Sequence, residues 1–272
     1  GAILRHVPKQ PRDGINVSKT HPLVEASTLF AGLSAIVVAL ALVLIFLIEI
    51  ALYFVPAEKE AALFKHWLPE DLTTVSPVDT QLNRTQQLVD RLAFHWPDSP
   101  YEFRVEIEDS PVANALALPG GLIVVTRGLL DQVQSENELA FVLGHELGHY
   151  RNRDHIRGLG RGLVLALFFA AVTDGDVSGL SLKVTDLALL GFSRRQELKA
   201  DEFGLEAIYT HYGHVNEAWR LFDRWDEVDE SGGGLAAYAS THPQPGDRIA
   251  RLEAHAREQG WPTAGQVTPL QW

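Results

Sequence analysis

The sequence predicts an α+β fold, mostly helical with a small antiparallel sheet, set behind one N-terminal transmembrane helix. Three observations predict it: an almost unbroken apolar run over 29–55, two serine capping signals that open helices, and three short strand-like segments between 103 and 126. The 272 residues, 46% of them hydrophobic, suffice for one full-sized domain with an appendage and lie far from the composition of a disordered chain.

The run from Leu29 to Val55 carries Glu49 as its only charge and exceeds the ~20 residues that cross a bilayer as a helix. It is too long for the apolar part of a signal peptide, its polar leader is long, and no clear small-residue cleavage site follows. Arg5, Lys9, Arg12 and Lys19 precede the run, whereas Lys59 and Lys65 follow it among Glu58, Glu60, Glu70 and Asp71. This asymmetry makes residues 1–28 a cytoplasmic tail and puts the C-terminal part across the membrane, on a periplasmic or extracytoplasmic side. Residues 56–78 read as a juxtamembrane linker with room for one short helix, and residues 79–272 as the folded domain.

Within that domain Leu82, Val89, Leu92 and Trp96 recur at helical spacing until Pro97 stops the helix. Phe103, Val105 and Ile107 alternate with charged residues, as in a half-buried strand. Residues 114–118 and 122–126 flank Pro119, Gly120 and Gly121, a turn with glycine free to take positive φ. Ser135 with Glu138, and Ser193 with Gln196, have the spacing of capping boxes; the second helix extends to about Tyr212. The apolar run over 163–172 is too short to span a bilayer and reads as core, or as a surface resting on the membrane. Leu221, Phe222, Trp225 and Val228, then Ile249, Leu252 and Ala256, mark two more amphipathic helices around a glycine loop at 232–234.

Composition narrows the chemistry. A net charge of −12 without a Lys/Arg run argues against a nucleic-acid partner. The absence of cysteine removes disulfides, thiol nucleophiles and thiolate metal sites, so any metal must be held by His and carboxylates.

His145-Glu146-Leu147-Gly148-His149 is an HExxH pattern in the middle of the first capped helix. Spacing i, i+4 stacks the two imidazoles one turn apart on one face, as two corners of a zinc tetrahedron require. Glu146, on the same turn, is the candidate base that takes a proton from water and returns it to the leaving amine. Phe141, Val142 and Leu143 make the helix too apolar for a solvated surface. Two residues compete as third ligand. His155 falls where a metzincin places its third histidine, but Asn152 stands where that motif needs glycine, and a Met-turn is impossible in a chain without methionine. Glu197 sits on the second capped helix with Asp201 four residues on, so both carboxylates share a face: Glu197 to reach zinc, Asp201 to orient a ligand histidine. The assignment adopted is one zinc ion per chain, held by His145, His149 and Glu197; the competing role for Glu197 and Asp201 is a charged face paired with Arg194 or Lys199.

These motifs, together with Asn114-Ala115 leading to Pro119-Gly120-Gly121 and Thr241-His242-Pro243 with Arg248, resemble the HtpX-like and CAAX-prenyl-protease type of zinc metallopeptidases, peptidase family forty-eight, within the gluzincins. The resemblance runs from about Asn114 to Leu252. It implies a zincin-type metalloprotease domain acting on protein or peptide substrates, with the strand of Asn114 at the sheet edge above the active-site helix, where an extended substrate adds as a further strand. Asn114 then either hydrogen-bonds the substrate backbone or simply starts its strand. His242 either stabilises an oxyanion or occupies the open coordination position and holds the enzyme inactive, unless it is a structural loop histidine. Prenyl proteases enclose their site within many transmembrane helices, and this chain has one clear span. The expected substrates are therefore membrane or envelope proteins, in protein quality control. The competing class is a metal-bound scaffold or chaperone that binds unfolded segments without cutting them.

Overall fold

The computed structural model describes residues 20–65, 79–160, 162, 164, 192–228, 238, 241, 242 and 247–272. The expected cytoplasmic tail up to residue 19, most of the apolar run over 163–172 and the glycine loop at 232–234 lie outside the described residues. The chain divides into two compact units, residues 1–43 and residues 44–272.

Helix α1, Pro22–Phe54, contains one stretch long and apolar enough to cross a membrane, Pro22–Ala51, with mean hydropathy 3.0. The first unit, as far as it is described, consists of this helix up to Val43. The second begins with its last turns, and helix α2, Ala57–Lys65, follows. It lies in the expected linker but is not adrift: Glu60 is 3% exposed and bonded to His155, Arg153 and Tyr101.

Helix α3, Thr80–Ala93, starts at Asp79, whose side chain accepts from Leu82 N, and buries Leu82, Leu88, Val89 and Leu92. Trp96 lies past its end, buried in a cluster of rings with Tyr101, Phe103 and Phe203. Strands β1 (Arg104–Glu108), β2 (Ala115–Leu118) and β3 (Leu122–Thr126) form a sheet in the order β1-β3-β2. The hairpin β2–β3 is antiparallel, as expected, with Ala115 opposite Val125. The sheet as a whole is mixed, because β1 runs parallel to β3, Arg104 opposite Leu122. The chain passes from β1 to the far edge before the tight turn brings it back through the centre, and that crossing is settled by tertiary packing, not by local alternation. Gly120 and Gly121 take φ of +88° and +89°, and a Cβ on Gly121 would lie 2.4 Å from Glu102 O, so the turn requires glycine.

A short helix α4, Arg127–Leu130, leads to α5, Glu136–Arg151, in which every residue from Asn137 to Tyr150 is buried. This central helix lies under the sheet: the Tyr150 hydroxyl approaches the carbonyls of Leu118 and Leu122, either side of the hairpin turn, at 2.5 and 2.7 Å. Its cap is half of the expected box. Ser135 Oγ accepts from Glu138 N, but the Glu138 carboxylate accepts from Gln134 N and from Arg224 instead of the Ser135 backbone. Helix α6, Arg194–Tyr212, has the full reciprocal box between Ser193 and Gln196 and ends at Gly213 in the left-handed region. Helices α7, Arg220–Val228, and α8, Arg248–Gln259, complete the bundle. The segment after α8 returns along α5, where Thr268 O accepts from Glu136 N and Thr268 N donates to Asn137 Oδ1.

Candidate metal centre

Helices α5 and α6 cross through small residues. A Cβ on Gly148 would meet Ala200 Cα at 2.7 Å, and one on Gly144 would meet Gly204 Cα at 3.1 Å. This close approach carries Glu197, on the first turn of α6, to the two histidines in the middle of α5. His145 Nε2 and His149 Nε2 lie 3.0 Å apart. Glu197 presents Oε2 to His145 Nε2 and Oε1 to His149 Nε2, each at 3.4 Å. His242 joins them: its Nδ1 is 3.1 Å from His145 Nε2, 3.3 Å from His149 Nε2 and 3.3 Å from Glu197 Oε1. All four side chains are buried and present their ligand atoms within 4.8 Å of one another.

Ligand atoms about 2.0–2.1 Å from a tetrahedral ion are about 3.3 Å from each other, so these spacings fit zinc, and nitrogen and oxygen donors fit its chemistry. The fit has a second mark. Both carboxylate oxygens of Glu146 and Oε2 of Glu197 are buried without a hydrogen-bond donor, a costly arrangement unless a cation or water engages them. His155, the rival third ligand, is elsewhere; its Nε2 is 2.6 Å from Glu60 Oε1.

A buried support surrounds the four. His145 Nδ1 is 2.8 Å from Asp201 Oδ1, and Asp201 is gripped by Arg248 through Nε at 2.9 Å and Nη2 at 2.5 Å. The Arg248 guanidinium in turn lies over the Phe222 ring, 4.1 Å from its centroid. His149 Nδ1 is 3.1 Å from Asp154 Oδ2, whose other oxygen accepts from Gln196 Nε2 at 2.7 Å. Phe192 stacks on His149 and Tyr238 on His242, with centroids 3.9 and 4.6 Å apart. Asp154, Phe192 and Tyr238 carry no motif and escape a reading by spacing.

The electrostatics follow from burial against pairing. Burial opposes a charged His149, but hydrogen bonds with Asp154 and Glu197 raise it to about 10, and Asp201 and Glu197 likewise raise His145. Burial opposes ionisation of Glu197 and Asp201 too. The surrounding histidines hold Glu197, and Arg248 with His145 holds Asp201, below the usual carboxylate range. The pocket thus keeps two carboxylates ionised around a place that demands positive charge.

The remaining candidates also fall nearby. His242 Nε2 is 3.5 Å from Glu146 Oε1 and 3.3 Å from Ala115 O on strand β2. Asn114 uses its side-chain oxygen to accept from Ala115 N and from Thr241 Oγ1, tying the strand start to the turn that carries His242.

An HExxH helix joined to a glutamate from a separate helix defines the gluzincin class of zinc metallopeptidases. The sequence profile described as Peptidase family M48 matches residues 79–256, well over half of the chain, and the chain belongs to that family. It is 34% identical over 158 residues to mitochondrial metalloendopeptidase OMA1 of Schizosaccharomyces pombe, covering 57% of this chain and 47% of that protein. Over 196 residues it is 29% identical to metalloprotease LoiP of Escherichia coli, covering 69% and 75% respectively. Over 149 residues it is 32% identical to a protease HtpX homolog of Pyrobaculum calidifontis, covering 46% and 42%. The chain spans half or less of the length of the OMA1 relatives it matches.

Proposed function

We propose that the chain is a membrane-anchored, zinc-dependent endopeptidase that cleaves membrane or envelope proteins in quality control. In this reading residues 29–55 span the bilayer, residues 1–28 are cytoplasmic and the peptidase domain, 79–272, works on the other side. The observation that carries the catalytic part is Glu146: a fully buried carboxylate, on the same turn as two candidate ligands, with no donor committed to either oxygen.

Zinc held by His145, His149 and Glu197 would supply a Lewis acid for a peptide carbonyl and a water of lowered pKa. Glu146 would take a proton from the attacking water and deliver it to the departing amine. Asp201 and Asp154 accept from the Nδ1–H groups of His145 and His149, fixing the tautomer that leaves each Nε2 lone pair free to bind a metal. The edge of β2 offers backbone groups to an extended substrate, and Asn114 serves this edge by holding the Thr241 turn against it. His242 Nδ1, spaced from the other donors as a fourth corner, supports the inhibitory role for this histidine. In that role His242 would have to leave the fourth corner before water and substrate enter.

The test compares wild type with Glu146→Gln on casein and on a reconstituted membrane protein, with bound zinc measured in both. Lost cleavage at equal zinc is the expected result and dismisses the non-catalytic scaffold. Equal cleavage by both proteins rejects Glu146 as the base.

A further inference from the structure

We propose that the cleft between the membrane-proximal end of α1 and the first turns of α6 binds the phosphate headgroup of an anionic phospholipid. It is a cleft of about 510 Å³, lined by Glu49, Asp154, Arg157, Ser193, Arg195 and Lys199 among others. The inference rests on the proposed membrane anchoring by α1 and not on the peptidase chemistry.

Height comes first. From Leu29 to Ile48 α1 has twenty residues without a charge, and at about 1.5 Å per residue they match a hydrocarbon core of about 30 Å. Glu49 then falls at the boundary with the headgroups, and residues 49–55 of the proposed span lie in the headgroup layer. The rest of the cleft is held at that height. Arg157 Nε bonds Glu49 Oε2 at 3.0 Å, and the helix over 154–160 lies so close to α1 that a Cβ on Gly160 would come 2.7 Å from Ile48 Cγ2. Just below, Leu44 and Leu47 are exposed apolar surface of the kind acyl chains cover.

Charge comes second. Arg157 is committed to Glu49 and to Asp154, and Asp154 also to His149 and Gln196. Arg195 and Lys199, four apart on α6 and both exposed, have no carboxylate partner among the described residues. In a chain of net charge −12, the uncommitted charge of this cleft among the described residues is positive, and on the proposed span it faces the layer where phosphates lie. A soluble anion would match the charge but not the position; a phospholipid matches both. The cluster is invisible as a sequence run because its cations come from two helices.

The full chain is placed in nanodiscs of mixed phosphatidylcholine and phosphatidylglycerol, and the lipid retained on release is counted by native mass spectrometry. Wild type should keep phosphatidylglycerol selectively, as should Arg257→Gln, which removes an exposed arginine on α8. The Arg195→Gln/Lys199→Gln protein should hold it roughly thirty-fold more weakly, since each cation at an anionic surface contributes about fivefold. Arg195→Lys/Lys199→Arg, which keeps both charges, should restore it, and equal thermal unfolding temperatures in all variants verify folding. The proposal is overturned if the neutral double variant keeps as much phosphatidylglycerol as wild type. It is equally overturned if wild type retains both lipids alike, or if millimolar inorganic phosphate displaces the bound lipid.

Discussion

Gly148 and Ala200 meet so closely that a methyl group on the glycine would overlap the alanine backbone, at 2.7 Å from Cα and 2.8 Å from the carbonyl oxygen. That contact sets the separation of α5 and α6, and so the reach of Glu197 to His145 and His149. Gly148→Ala must push the helices apart. Overpacking of this kind costs about 1–3 kcal/mol. Thermal unfolding should fall accordingly, and zinc content should fall with it although no ligand has changed; full zinc occupancy would show the spacing to be unimportant.

Asp154 and Asp201 each hold one ligand imidazole. Removing such a support typically weakens metal binding about 10–100-fold. Asp154→Ala and Asp201→Ala should each do so in competition with a chelating dye. Unchanged affinity in Asp154→Ala would make its contact with His149 incidental.

Replacing His242 by Ala separates its two roles. As a fourth ligand that blocks the site its loss raises the cleavage rate, whereas as an oxyanion donor its loss lowers the rate about 10²–10³-fold. The spacing of Nδ1 from the other three donors predicts a rise.

Glu60 ties α2 to the domain. Burial pushes its carboxyl pKa up, but His155 and Arg153 outweigh burial and hold it below 4.5, with Tyr101 donating to the same group. A carboxyl lowered in the folded state adds stability that is complete above the unfolded value near 4.5 and is lost as pH falls through the folded one. Wild type should therefore lose stability in this acid range. Glu60→Gln should lack that component and be about 2 kcal/mol less stable at neutral pH, since Arg153 Nε and the Tyr101 hydroxyl lose a charged acceptor. Parallel pH profiles for the two proteins in urea unfolding would contradict this.

Local signals carried most of the reading. The HExxH spacing and the Ser193–Gln196 box lie within single turns, so the helices, His145, His149, Glu197 and Asp201 were legible. What depended on the chain turning back was not. Asp154 reaches His149 only because Arg153 takes φ of 58°, a left-handed reversal that no periodicity announces. Glu60 finds His155 and Arg153 more than ninety positions away. The parallel sense of β1 depends on a crossover, and the Glu138 carboxylate leaves its box for Arg224 on a different helix.

A single divalent ion shared by α5 and α6 would be seen by X-ray absorption at the zinc edge of the purified full chain. One zinc per chain is expected, with imidazole nitrogen and carboxylate oxygen neighbours at about 2.0–2.1 Å, and a changed spectrum or lost metal in Glu197→Ala. Zinc bound with an identical spectrum in that variant would contradict it.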